Sequence, residues 1–133
     1  MTLEARRVLV AEDAPRIREI LDYFLRRVGY IVESVADGET ASLRLRECGY
    51  DLVVTDFMMP RLTGVQLIKR MRERGDTTPV LLISGTVTSA ALAAARKYGA
   101  VDVLEKPFQR EELVGKVEML LAFQHGPGGD LAS

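Results

Sequence analysis

Asp51-Leu52-Val53-Val54-Thr55-Asp56-Phe57-Met58-Met59-Pro60 is the stretch on which the fold turns. Leu52 to Val54 form a continuous apolar run between polar residues, the pattern of an interior strand of a parallel sheet covered on both faces. Pro60, and Gly64 beyond it, mark a loop before the next helix. Asp56 then sits where the carboxyl end of a strand opens into a loop, which is where doubly wound sheets bind ligands. The same aspartate could instead do no more than end the strand and shape the turn. The flanking sequence separates these readings.

Upstream, Val8-Leu9-Val10-Ala11 reads as a first strand that stops at Glu12-Asp13. Pro15 suits the first turn of a helix, and Ile17, Ile20, Leu21, Phe24, Leu25 and Val28 recur at helical spacing before Gly29 closes it. Residues 30–36 form a second strand whose Glu33 and Ser34 suit an edge position. Asp37 can cap a second helix with Ala41, Leu45 and Cys48 on one face.

Downstream, Leu67, Ile68 and Met71 mark the inner face of a third helix ending near Gly75. Val80-Leu81-Leu82-Ile83 is a fourth strand running into Ser84-Gly85. The helix after it, over residues 89–98, is rich in alanine, so its propensity is high and its apolar grip weak. Residues 100–104 form a fifth strand, with Asp102 suggesting the other edge. Lys106-Pro107-Phe108 leads to a last helix carrying Leu113, Val117, Leu120 and Leu121.

Five short βα units predict a three-layer α/β/α sandwich around a five-stranded parallel sheet. Two edge-like strands, the second and fifth, give the doubly wound order 2-1-3-4-5. Residues 1–123 are expected to form this one domain, and the glycine-rich residues 124–133 a flexible tail or truncated linker.

Composition narrows the function. The 133 residues are 47% hydrophobic and 28% charged, ordinary for a soluble globular domain. A net charge of −1 offers no general attraction to nucleic acid or membrane. The apolar runs are strand-length, well short of the ~20 residues that span a bilayer. The N-terminus lacks the apolar segment of a secretory signal, so a cytoplasmic address is expected. One cysteine, Cys48, permits no internal disulfide and leaves zinc without its usual thiolates. It is expected to pack inside the second helix as a small apolar residue.

In the predicted topology four strands deliver polar residues to one edge of the sheet: Glu12 and Asp13, Asp56, Ser84, and Lys106. Three carboxylates held together repel one another unless a cation joins them, and hard oxygen ligands with room for water suit Mg²⁺. Lys106 adds a point positive charge and Ser84 a hydroxyl donor. Such a set suits a phosphoryl group passed onto a carboxylate oxygen, giving an acyl phosphate. Gly85 leaves space for that group. Singly, each residue has a plainer explanation. Glu12 could favour a helix N-terminus, Ser84 could shape a turn, and Lys106 could be a solvated lysine.

The ordered set Glu12-Asp13, Asp56 before Met59-Pro60, Ser84-Gly85 and Lys106-Pro107-Phe108 resembles the receiver domain of two-component response regulators. The likeness covers residues 6–123 in the family's order and spacing, and implies its flavodoxin-like fold. It implies Asp56 as phosphoacceptor, Asp13 as a direct Mg²⁺ ligand, and Glu12 holding the metal through water. It also implies the Met58 backbone carbonyl as a further ligand, Ser84 and Lys106 on the phosphoryl group, and a cis peptide before Pro107. The implied donor is a histidine kinase or a histidine phosphotransfer protein, and the output a downstream protein partner or an output domain outside these residues. The domain is then no enzyme in the usual sense, catalysing only its own phosphorylation and dephosphorylation.

Several features depart from the family or stand outside its motifs. Val103 occupies a position where the family usually has Tyr or Phe, so a switch here is expected to work through the loop after Ser84 and the alanine-rich helix. Met58 and Thr86 offer no acid or amide to orient an attacking water, which implies a slowly hydrolysed acyl phosphate. Arg61, Lys69, Arg70, Arg72 and Arg74 make the third helix region basic, which reads as a solvated face. Met58 and Met59 are expected as loop packing. The last helix shows no charge array that would specify a dimer, leaving a monomer or a phosphorylation-dependent dimer. Competing readings are a pseudo-receiver that binds partners without phosphorylation, and a phosphatase using Asp56 as nucleophile. The second of these usually needs another aspartate where Met58 stands.

Overall fold

The computed structural model describes residues 5–99 and 101–125. Ten elements alternate: β1 (Arg7–Ala11), α1 (Pro15–Val28), β2 (Ile31–Val35), α2 (Gly38–Glu47), β3 (Leu52–Asp56), α3 (Gly64–Glu73), β4 (Val80–Ser84), α4 (Ser89–Tyr98), β5 (Val101–Glu105) and α5 (Arg110–His125). The strands form one parallel sheet in the order β2-β1-β3-β4-β5, as the edge signals in the second and fifth strands imply. Ala100, expected to open the fifth strand, lies outside the described residues, as do residues 126–133 of the expected tail. Gln124 and His125 belong to α5, which therefore passes the expected boundary at 123.

Alternation along each strand divides the core in two. Val8, Val10, Leu52, Val54, Leu81 and Ile83 meet Leu21 and Leu25 of α1 and Leu113, Val117, Leu120 and Leu121 of α5. Leu9, Val53, Val80 and Leu82 face the other way, towards α2, α3 and α4. The interior strands β3 and β4 are buried along their whole length. Asp56 and Ser84, the last residues of those strands, are carried to the sheet edge by this burial.

Several local expectations are corrected. Only Leu21 and Leu25 of the α1 row are fully buried, while Ile20 and Val28 are 43% and 39% exposed. The row of six is wider than the strip α1 lays on the sheet. Cys48 is not inside α2: it stands at the C-cap in extended conformation, half-buried, with Arg44 Nη2 3.5 Å from its sulfur. The helix ends after Glu47 because the chain must return to enter β3.

Arg72 departs from the solvated basic face. Its guanidinium donates to the carbonyl oxygens of Asp76 (2.9 Å), Thr78 (2.9 Å), Tyr98 (3.0 Å) and Gly99 (3.2 Å). Burial lowers its pKa against the opposing charge of Asp76. The edge strand β2 is fastened to α2 by Glu33, which accepts from Arg44 Nε at 2.5 Å and Nη2 at 3.2 Å, and from the Tyr50 hydroxyl. Those hydrogen bonds hold the Glu33 carboxyl below its ordinary range. Among the described residues no helix is long and apolar enough to cross a membrane.

Candidate functional site

The four strand ends meet as expected. Carboxylate oxygens of Glu12, Asp13 and Asp56 all lie within 4.8 Å of one another. Glu12 is completely buried and Asp56 nearly so, whereas Asp13 is exposed at the rim. Lys106 Nζ stands 3.2 Å from Asp56 Oδ2 and 3.7 Å from Glu12 Oε1.

Backbone hydrogen bonds explain why these side chains converge. The Glu12 amide donates to the Val35 carbonyl at 3.1 Å, continuing the β1–β2 ladder one residue past the strand. The Phe57 amide donates to the Ile83 carbonyl and the Lys106 amide to the Ser84 carbonyl, each at 2.7 Å. Each loop is thereby tied to the neighbouring strand just where its functional residue leaves the sheet. The Lys106–Pro107 peptide is cis, as the resemblance implies.

Glu12 carries the strongest electrostatic signature. Desolvation by burial pushes its carboxyl from 4.5 up to about 7, and the nearby Asp56 charge adds to this. The Ala14 amide, donating to Oε2 at 3.1 Å, and the Lys106 cation oppose the shift. Its other oxygen, Oε1, is buried with no hydrogen-bond partner. An orphaned buried carboxylate oxygen among two further carboxylates is a set of hard ligands suited to a divalent cation. The residues present therefore fit Mg²⁺.

Ser84 is at the site but engaged elsewhere. Its hydroxyl donates to the Thr86 carbonyl, and the Thr86 amide returns a 3.3 Å bond to Ser84 Oγ. Met59 is buried in the loop as expected, but the Met58 side chain is 63% exposed and packs little. Val103 is buried in the α2–α3–α4 core with Ala91 and Ala94, so no ring or hydroxyl approaches Ser84 from that position.

Two contributors carried no clear sequence signal. Arg18 Nη1 donates to the Glu12 carbonyl at 2.7 Å and reaches the Asp13 carbonyl at 3.5 Å, bracing the acidic turn from α1. An arginine on the polar side of an amphipathic helix is indistinguishable in sequence from a solvated one. Ile17, Ile20, Pro107 and Phe108 line an apolar groove that opens beside Lys106. The α1 periodicity assigned both isoleucines to the core face.

The arrangement is a negatively charged pocket with one fixed cation, one hydroxyl and a carboxylate at a strand end. Chemically it can bind a divalent metal and present Asp56 Oδ1 or Oδ2 to an electrophile.

Comparison with known proteins agrees with this geometry. Residues 8–118 match the model of the response regulator receiver domain. The regulator of RpoS from Escherichia coli strain K12 is 39% identical over 105 residues, covering 79% of this chain and 31% of that protein. The chain spans 31% to 51% of the length of that relative and of a transcriptional regulatory protein, TctD, from Salmonella typhimurium. Among solved structures, response regulator TrrA of Thermotoga maritima in complex with Mg²⁺–BeF superposes with a TM-score of 0.78 at 28% identity, over 86% of this chain and 98% of that one. Because the family model matches most of its length and the motifs fall where its fold brings them together, the chain belongs to the response regulator receiver domain family.

Proposed function

We propose that this chain is a Mg²⁺-dependent phosphoacceptor switch in which Asp56 takes a phosphoryl group from a histidine kinase or a histidine phosphotransfer protein. The observation that carries the reading is the placement of Lys106 between the carboxylates of Asp56 and Glu12. Receiver domains of response regulators take phosphoryl groups from histidine kinases, and the acidic pocket suits that chemistry.

In the proposed reaction an Asp56 carboxylate oxygen forms a bond to phosphorus as the bond from phosphorus to the donor imidazole nitrogen breaks. The electron pair returns to the ring, and the product is an aspartyl phosphate. Lys106 Nζ balances charge on the equatorial phosphoryl oxygens. The Ser84 hydroxyl leaves the Thr86 carbonyl and donates to one of those oxygens. Asp13, Asp56 and the Met58 carbonyl would hold the metal, with Glu12 acting on it through water. When bound, Mg²⁺ supplies positive charge against the transferred group. The apolar groove of Ile17, Ile20, Pro107 and Phe108 offers the donor protein a surface beside Lys106.

The domain turns over no external substrate in this reading. It signals by changing its affinity for a downstream protein or for an output domain of a longer chain. Val103 favours one second reading, a phosphorylation-independent interaction module, because the usual aromatic partner of Ser84 is missing.

Acetyl phosphate labelling with and without Mg²⁺, on wild type and Asp56→Asn, tests the proposal. Metal-dependent labelling that Asp56→Asn abolishes is expected. No labelling together with no Mg²⁺ binding would overturn the proposal and favour the interaction module.

A further inference from the structure

We infer that Gly64 and Gly38 are positioning residues for the loop that presents Asp56, their missing side chains allowing two backbone contacts that set its shape. The functional meaning rests on the phosphoacceptor reading above, while the bracing itself rests on geometry alone.

A Cβ built on Gly64 would meet the Asp56 carbonyl oxygen at 2.4 Å, the Asp56 carbonyl carbon at 3.3 Å and Leu82 Cδ2 at 2.9 Å. One built on Gly38 would meet the Leu62 carbonyl oxygen at 2.4 Å and Leu62 Cβ at 2.7 Å. The other described glycines meet nothing within 4 Å. Neither Gly38 nor Gly64 has positive φ, so backbone freedom does not explain them. Close approach of one backbone to another does.

Both contacts act on residues 57–63. At Gly64 the loop closes on its own start, since the Gly64 amide donates to the Phe57 carbonyl at 3.0 Å while its Cα rests on the Asp56 carbonyl. At Gly38 the first turn of α2 presses on Leu62 from outside. Between them Arg61 is held at φ 70, a conformation non-glycine residues avoid, with its guanidinium 4.0 Å from Asp37. The Leu62 amide bonds the Pro60 carbonyl at 2.7 Å, and the Met59 and Leu62 side chains are buried. A left-handed arginine persists only where its surroundings over-determine the backbone. Leu82 is a side chain and can yield to a methyl group, but the Asp56 and Leu62 carbonyls cannot move without moving the nucleophile and the Met58 carbonyl between them.

Gly64→Ala and Gly38→Ala test this, with Gly49→Ala as a control in open space. In folded, metal-free variants, amide hydrogen exchange over residues 57–62 is expected to accelerate relative to α5. The Mg²⁺ dissociation constant, measured by calorimetry, is expected to rise about tenfold. Gly49→Ala should change neither. Wild-type exchange and wild-type Mg²⁺ affinity in both alanine variants would overturn the inference. If either variant fails to fold, Asp37→Ala compared with Arg61→Ala decides, because both remove the Arg61–Asp37 pair and only the first also removes the cap on the Thr40 amide and loosens the turn bearing Gly38. Faster exchange at Leu62 in Asp37→Ala than in Arg61→Ala then supports the brace, and equal exchange in the two overturns it. Should wild type fail to label with acetyl phosphate, the phosphoacceptor reading falls, while the exchange comparison still judges the brace.

Discussion

The loops that follow β3 and β4 leave adjacent strands at one edge of the sheet, and they are held in opposite ways. After Asp56 the chain buries Met59 and Leu62, meets its own start and the first turn of α2 at bare glycines, and enters α3 through a capping box between Thr63 and Gln66. After Ser84 it passes Gly85, which has open space around it, and enters a helix that buries only Ala91 and Ala94. A metal site and a nucleophile require fixed distances. A signalling element requires a segment whose displacement costs little. Under the proposed function, the molecule separates these demands between neighbouring loops instead of compromising within one.

The comparison can be broken first at the helices. Ile68→Ala on α3, at a fully buried position, should cost about 2–5 kcal/mol in denaturant unfolding. Leu92→Ala on α4, where the side chain is 42% exposed, should stay within about 0.5 kcal/mol. Equal losses at the two positions would remove the asymmetry.

The second test asks what the rigid half of the site costs the metal-free protein. Glu12 has its carboxyl raised from 4.5 to about 7 by folding, so the native state binds a proton more readily than the unfolded chain. Stability should therefore fall as pH rises between those values, by on the order of 2–3 kcal/mol, and level off above. Glu33 and Asp37 have lowered pKa values, and their contribution is lost only at more acidic pH, outside that window. Added Mg²⁺ should offset the loss most at the upper end. A flat profile between pH 4.5 and 7 in Glu12→Gln, with the slope retained in wild type, would assign the effect.

Smaller effects sharpen the contrast. Thr63→Ala removes the hydroxyl that accepts the Gln66 amide and should cost about 1 kcal/mol. Gly85→Ala should raise stability by about 0.5 kcal/mol, because its backbone has no positive φ and nothing lies within reach of a methyl group. The same substitution would then be favourable in one loop and disruptive in the other, at Gly64.

The sequence made the sheet and the strand-end residues legible because both depend on local pattern. Apolar runs of strand length ending in Glu12, Asp56, Ser84 and the residues before Lys106 place those groups at one edge once the strand order is known. The order itself followed from charges in β2 and β5. What could not be read depends on contacts between distant segments. Gly64 looked like loop punctuation, and only its approach to the Asp56 carbonyl shows another role. Ile20 kept helical spacing yet faces outward, since periodicity gives a face but not the width of the surface that covers it. Arg72 sat in a row of cations with no mark to distinguish it, because its partners are backbone oxygens from two other segments.

Arg72 also gives α4 a lever arm. Its bonds to the Tyr98 and Gly99 carbonyls fasten the far end of a ten-residue helix, while the near end hangs from Gly85 and the Thr88 cap. At 1.5 Å per residue the helix is about 15 Å long. A tilt of about 10° around the fastened end would swing its head by roughly 2.5 Å, nearly the length of a hydrogen bond. A shift of the chain just after Ser84 and a displacement of the head of α4 are, in such a geometry, one and the same motion.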